Sequence, residues 1–269
     1  MRDINEILEG FRQITLEEMD SVKLMNRVDT KFVLTEGQLA EFLEMCAVDY
    51  KVLTIEGKKV AGYESLYYDT ADRVMYLRHL YGRKTRQKVR TRTYLDSGLT
   101  FLEIKRKDNH RRTRKKRMEI QREEFGDFAV NEKAVEYVAK KSWYRAEELQ
   151  PALDVSFRRI TLVNEEMTER MTIDRELKFN RDGACSSSTG RSVALEGIVI
   201  VEIKQDGLVK SVARERMHRL GIQEFRVSKY CIGTVLTCPE LPNNRMKPKI
   251  RYINKLQKIW KNTQILTHR

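Results

Sequence analysis

Several segments of this chain alternate apolar and charged residues with a period of two, and the charged positions are mostly arginine and lysine. Side chains alternate faces along a β-strand, so this period gives a strand two chemically distinct sides. Over residues 87–94, Lys88, Arg90 and Arg92 share one side. Over 101–108, Glu103, Lys105 and Lys107 oppose Leu102 and Ile104. Over 169–179, Arg170, Thr172, Asp174, Glu176 and Lys178 oppose Met171, Ile173, Leu177 and Phe179. Glu202 and Lys204 oppose Val199, Val201 and Ile203, and Arg27, Asp29 and Lys31 share a side near the start. A half-solvated sheet with a charged wet face is one explanation. The density of Arg and Lys around isolated carboxylates suggests another. If the charged sides meet inside a closed barrel, they line a cationic tunnel, and the apolar sides point outward under a cover of helices. The pattern alone leaves both open.

The strand stretches fall at roughly 27–34, 49–55, 62–69, 85–95, 99–107, 114–122, 154–163, 169–179 and 197–205, with a hairpin turn at Asp96-Ser97-Gly98. Helical spacing of Ile4, Ile7, Leu8, Phe11 and Ile14 predicts an N-terminal helix within about 3–19. Thr35 with Gln38 three residues on predicts a capped helix through Leu39, Phe42, Leu43 and Cys46. Further helices are expected over 131–142, 208–220 and 225–237. No strand–helix–strand alternation emerges, so the expected class is α+β, dominated by antiparallel sheet. Pro239, Pro242 and Pro248 mark a linker. The chain thus reads as a main domain over 1–238 and a linker with a basic tail helix over 239–269.

Charge is concentrated as well as patterned. Residues 83–122 hold 16 Lys/Arg against 4 Asp/Glu, and 239–269 hold 8 against 1, within a chain of net charge +13. Such an excess points to an anionic partner such as nucleic acid, anionic lipid or phosphate-rich small molecules. Nucleic acid is disfavoured, because the cations alternate along strands without interleaved aromatics for base stacking. The tail is amphipathic through Ile250, Ile253, Leu256 and Trp260, and could meet a membrane or a protein partner. No stretch has the roughly 18 apolar residues of a membrane span. The start has no signal-peptide character, and Cys46, Cys185, Cys231 and Cys238 form no CxxC pair. Free thiols and a cytoplasmic location are therefore expected.

The order of segments RVDTKFV (27–33), SLYYDT (65–70), KVRTR (88–92), FLEIKRK (101–107), KKRMEI (115–120), RMTIDRELKF (170–179), IVEIKQ (200–205) and FRVSKY (225–230) resembles the VTC domain. That is the polyphosphate polymerase domain of the CYTH, or triphosphate tunnel metalloenzyme, superfamily, here in a stand-alone form of the bacterial kind. The resemblance spans roughly 20–238. It implies a closed eight-stranded antiparallel β-barrel, whose tunnel binds triphosphate and polyphosphate. It further implies a phosphotransferase that moves the γ-phosphate of ATP onto a polyphosphate chain with Mn²⁺ or Mg²⁺. Pyrophosphate is a related ligand.

By the same resemblance, Arg90, Arg92, Lys105 and Arg170 would be catalytic, holding the triphosphate in line. Lys31, Lys88, Lys115, Lys204, Arg226 and Lys229 would bind substrate phosphate. Glu202 would hold the metal, with Asp174 or Glu176 as a second ligand, Glu176 being equally placed to act as the ion-pair partner of Arg170. The first strand carries Arg27-x-Asp29-x-Lys31 in place of the ExExK signature of CYTH hydrolases, which favours polymerase over triphosphatase. Hydrolysis of a triphosphate, or non-catalytic binding of polyphosphate or nucleotide, are the alternatives. His79, His110, His218 and His268 lie off the charged faces and are expected to be structural or solvated. Tyr67 and Tyr68 are expected to fill core.

Overall fold

Strand formers with a period of two build one eleven-stranded sheet, seen in a computed structural model that describes residues 2–20, 27–110, 112–181, 191–207 and 210–267. The chain begins with α1 (Ile4–Glu9), β1 (Arg12–Ile14), α2 (Leu16–Asp20), β2 (Arg27–Thr35), α3 (Glu36–Cys46) and β3 (Tyr50–Leu53). β4 (Ala61–Asp69), α4 (Val74–Leu80), β5 (Arg86–Tyr94), β6 (Thr100–Lys107), β7 (Thr113–Ile120) and α5 (Glu132–Lys141) follow. Next come β8 (Gln150–Asn164), β9 (Glu169–Arg181), β10 (Arg191–Ala194) and β11 (Ile198–Asp206). The chain ends with α6 (Val212–Arg219), α7 (Lys229–Thr237) and α8 (Lys247–Thr267). The main path is β2–β11–β9–β8–β4–β5–β6–β7, all antiparallel, with β3 on β8, β10 on β9 and β1 parallel to β3. Cys185 and His268 lie outside the described residues, as does the side chain of Arg27.

The closed eight-stranded barrel does not form. The sheet has eleven strands, and among the described residues no ladder joins β2 to β7 at the two ends of the path. β7 carries Arg114, Lys115, Lys116 and Arg117 in succession, all exposed. Charged edge strands resist pairing with another strand. The sheet nevertheless curls, because a single helix start touches distant strands of it. Ser228, the N-cap of α7, accepts a hydrogen bond from Lys88 Nζ of β5 at 2.7 Å. The neighbouring Lys229 pairs with Asp174 of β9, and Tyr230 stacks on Tyr67 of β4 with ring centroids 5.0 Å apart.

Both faces of the curled sheet are covered, for different reasons. The convex face carries the apolar alternates. Val199, Val201, Ile203, Met171 and Ile173 pack under α1, α3 and α6 in one cluster, while Val89, Leu102 and Ile104 pack with Ala134 and Val138 of α5 in another. The concave face changes character along its length. On β11, Ile198 and Ile200 share a side with Glu202 and Lys204. The apolar end of this face, including Val33, Val155, Leu177 and Phe179, packs around Tyr230 and Ile232 of α7. At Gly233 an added Cβ would lie 2.5 Å from both Leu153 and Phe179, so a glycine lets the helix approach this closely.

Local signals hold where a side chain meets its own backbone. Thr35 and Gln38 form the reciprocal cap, with Gln38 N donating to Thr35 Oγ1 at 3.2 Å and Thr35 N to Gln38 Oε1 at 3.0 Å. The N-terminal helix stops short of its expected end: α1 closes at Glu9, and Arg12–Ile14 pairs with β3. Phe11 and Ile14 are buried all the same, so helical spacing identified the right residues on the wrong backbone. Ile253, Leu256, Tyr252 and Trp260 dock the stretch after Pro239 on the body. Ile253 and Leu256 enter the α7 cluster, Tyr252 stacks on Phe225 at 4.6 Å, and Trp260 lies over Gly197, where φ is 68° and an added Cβ would meet the ring at 2.1 Å. No helix among the described residues is long and apolar enough to cross a membrane. Cys46, Cys231 and Cys238 are buried free thiols.

Gly233→Ala should therefore strain the packing of α7 against β8 and β9 and cost about 1–3 kcal/mol. Urea denaturation is the measurement, and a midpoint like that of wild type would contradict the close approach.

Candidate anion-binding site on the concave face

At its charged end the concave face crowds cations from separate strands around three carboxylates. Glu103 of β6, 2% exposed, accepts Nε and Nη2 of Arg90 at 2.8 and 2.5 Å and takes Lys115 Nζ of β7 at 2.5 Å. Asp174 of β9, 3% exposed, accepts Nε and Nη2 of Arg159 at 2.6 and 2.9 Å and also pairs with Lys229. Glu202 of β11 lies 2.7 Å from Lys31 Nζ and 3.3 Å from Lys204 Nζ. Each carboxylate thus holds two cations. Register explains the clustering, since directly paired residues share a face: Arg90 opposes Glu103, Lys88 opposes Lys105, Lys31 opposes Glu202, and Arg170 opposes Lys204.

The electrostatics follow from this crowding. Burial works against ionisation of all three acids, but the cations outweigh it. Arg90, Arg92 and Lys115 hold Glu103 well below the usual carboxylate range, and Arg159 and Lys229 do the same for Asp174. Glu202 is held down by Lys204 and Lys31, with Lys105 of β6 adding to them from across the curl. Burial pushes Lys229 down to about 8 despite Asp174 beside it, and pushes Lys88 down as well.

Two of the cations lack a carboxylate partner among the described residues. Lys88 bonds only the Ser228 hydroxyl by its ammonium. Arg92, 6% exposed, donates Nε to Ser65 Oγ at 2.9 Å and lies over the rings of Tyr63 and Phe157 at 5.4 and 5.6 Å. Those two rings are stacked 5.2 Å apart, and Arg159 and Lys229 lie against them too. The aromatic pair gives the cations apolar support without neutralising them.

Of the residues singled out in the sequence, the fold gathers Lys31, Lys88, Arg90, Arg92, Lys115, Lys204 and Lys229 into this group by the contacts above. Arg170 and Lys105 stand beside it in register. Arg226 is exposed at the approach to α7, and its carbonyl accepts from Lys249 of α8 at 2.6 Å. Glu176 is placed elsewhere. The β8–β9 register shifts between Ser156 and Arg158, and Glu176 takes a left-handed φ of 51° at the extra residue. A bulge turns its side chain out of the alternation. Glu176 is 56% exposed there, 3.9 Å from Arg158, and does not join Arg170.

Sequence reading missed Arg159, which lies on one strand side with Phe157 and Thr161, a pattern with too little charge to stand out. It also gave Glu103 no role. His79 donates nothing to this group: it sits by the Gln87 carbonyl at 3.2 Å, and burial pushes its pKa down, so it is neutral.

The donor set does not build a metal centre. Glu176 is remote from Glu202, Glu202 is already held by two lysines, and no group of three or more His, Cys, Asp or Glu stands together among the described residues. A divalent ion here would need phosphate oxygens and water for most of its ligands.

An antiparallel sheet curled around cations, with helices on both faces, is a fold this chain shares with known structures. The sequence model of the VTC domain matches residues 26–237, and the chain belongs to that family. No curated protein matches it. Among solved structures, a Hippeastrum protein described as an adenylyl cyclase with a dominant triphosphatase activity aligns with a TM-score of 0.50 and 12% identity. The alignment covers 81% of this chain and 99% of that one. A Bacillus halodurans protein described as an adenylate cyclase aligns with a TM-score of 0.48 and 11% identity, covering 76% of this chain and 96% of that one.

Asp174→Asn should leave Arg159 and Lys229 without their counter-charge and cost about 3–5 kcal/mol in urea denaturation. The pH dependence has a definite sign. The folded pKa values of Glu103, Asp174 and Glu202 are depressed, so their stabilisation is full above the unfolded values of about 4 and is lost as pH falls below them. Stability measured between pH 6 and pH 3 should therefore fall less steeply in Asp174→Asn than in wild type.

Proposed function

We propose that the concave face binds a phosphate chain and transfers the γ-phosphate of ATP to the end of a polyphosphate. The observation that carries this reading is the excess of cations over carboxylates there, with Arg92 and Lys88 left without a carboxylate partner. Membership of the VTC family supports the same reading. A polyanion supplies the missing negative charge, and arginine recognises phosphate through paired donors.

In the proposed reaction a terminal oxygen of the acceptor chain attacks the γ-phosphorus. The bond from γ-phosphorus to the β,γ-bridging oxygen breaks, and ADP leaves with the electron pair. The acceptor is already an oxyanion, so no base is needed. Phosphoryl transfer of this kind depends on positioning and charge neutralisation. Arg90, Arg92, Lys105 and Arg170 take the triphosphate role, joined by Arg159. Lys31, Lys88, Lys115, Lys204 and Lys229 neutralise the chain, and Arg226 stands at the approach. Glu103 and Asp174 aim the guanidinium groups of Arg90 and Arg159 by their paired hydrogen bonds.

Hydrolysis of a triphosphate is the second reading, favoured by the likeness to the Hippeastrum fold. It requires a group to take a proton from water. The three carboxylates are held ionised by pairs of cations and are weak bases, and the neutral His79 is turned to a backbone carbonyl. This weighs toward transfer to a phosphate acceptor.

Incubation with ATP and Mn²⁺, followed by gel analysis of polyphosphate and assay of free phosphate, separates the two. Long chains are expected, with rates reduced about 10²–10³-fold in Arg90→Ala and Arg159→Ala. Free phosphate without polymer would establish hydrolysis instead, and binding of tripolyphosphate without turnover would leave a binding module.

A further inference from the structure

Tyr67 stands among the cations of the concave face, and its hydroxyl has an unusual set of partners. The residue is 5% exposed, on the concave side of β4 opposite Arg90. Arg90 Nη1 donates to its hydroxyl at 2.9 Å. A phenol that accepts from arginine still has its own proton to give, and among the described residues no acceptor for it stands within reach. Cations face it from β5 and α7, a carboxylate already engaged by cations from β6, and an apolar side chain from β8. β5 presents Lys88, Arg90 and Arg92, α7 presents Lys229 and the ring of Tyr230, and β6 presents Glu103, which is occupied by Arg90 and Lys115. From β8 the residue in register is the apolar Leu153. On its own strand, Asp69 faces away into the start of α4, where it accepts from Met75 N and Tyr76 N at 2.8 Å and from the Tyr230 hydroxyl at 2.5 Å.

We propose that the Tyr67 hydroxyl is a ligand of the bound phosphate chain and that above neutral pH it carries its proton only while the chain is in place, so that polyanion binding there draws a proton from solvent. In the empty site the tyrosinate serves as a counter-charge to Arg90 and its neighbours. When phosphate oxygens arrive, they take over that neutralisation. The phenolate takes a proton from a solvent or buffer acid, whose own bond to that proton breaks and whose conjugate base stays in solution, and the phenol so formed donates a hydrogen bond to a phosphate oxygen. Burial alone would raise the phenol above its usual range, but Arg90, Lys88, Arg92 and Lys229 together hold it at about 7 in the empty site. Tyr230 stacks on the ring and is itself fixed through Asp69, so the hydroxyl is held in position as its charge changes.

This inference rests on the phosphate-chain reading of the concave face, and the test keeps the two apart. Tyrosinate has its own near-ultraviolet absorbance, which lysine protonation does not produce. In the free protein a tyrosine should titrate near pH 7, as against about 10 for an ordinary phenol. Saturating tripolyphosphate at pH 8, without ATP, should remove most of that absorbance and move the midpoint up by about 2 pH units. Tyr67→Phe keeps the ring and should lose this titration phase, with fewer protons taken up in calorimetry across buffers of different ionisation enthalpy. The proposal fails if no tyrosine titrates below about pH 9, if the phase persists in Tyr67→Phe, or if tripolyphosphate binds without an absorbance change. Failure of tripolyphosphate to bind at all would instead overturn the phosphate reading on which it rests. The wild-type titration stands even if the variant does not fold.

Discussion

The structure depends on pairing buried carboxylates with cations from different strands. A concave face lined by arginine and lysine would drive its own strands apart if nothing offset the repulsion. Glu103, Asp174 and Glu202 each stand between two cations, and each ties strands or elements together: β5 to β6 and β7, β8 to β9 and α7, β2 to β11. Ion pairs of this kind do not repay the full desolvation of their partners. They make an otherwise self-repelling surface compatible with folding, and the energy for the fold comes from the apolar clusters on both sides of the sheet.

The division of the concave face into an apolar and a charged end gives the site its boundary. α7 fills the apolar end with Tyr230 and Ile232, while its first residues, Ser228 and Lys229, reach the charged end. The bulge at Glu176 belongs to the same division. It lets β9 present Asp174 to the cations and, past one extra residue, Leu177 and Phe179 to α7. Strict alternation could not serve both ends from one strand.

What the sequence makes legible follows from how local each signal is. The Thr35–Gln38 cap is a contact within four residues and is read correctly. The charged sides of β5, β6 and β11 obey a period of two and are read correctly as shared faces. Glu176 misleads because a bulge resets that period without a Gly or Pro to announce it. Ile14 misleads because a buried residue at helical spacing can equally belong to a short strand. The open path from β2 to β7 is a matter of pairing between strands far apart in sequence, and nothing local reports it. Arg159 is invisible for a related reason: its importance comes from Asp174, fifteen positions away along the chain and opposite it in the sheet.

The helix that plugs the apolar end also brings Lys229 and Ser228 to the charged end, so the cation cluster and core packing form one cooperative unit. Local opening of α7 would dismantle both together. Amide hydrogens of α7 should consequently exchange only through openings as costly as those of β8 and β9, and a ligand that fixes Lys229 would slow exchange deep in the apolar core, at residues no phosphate touches.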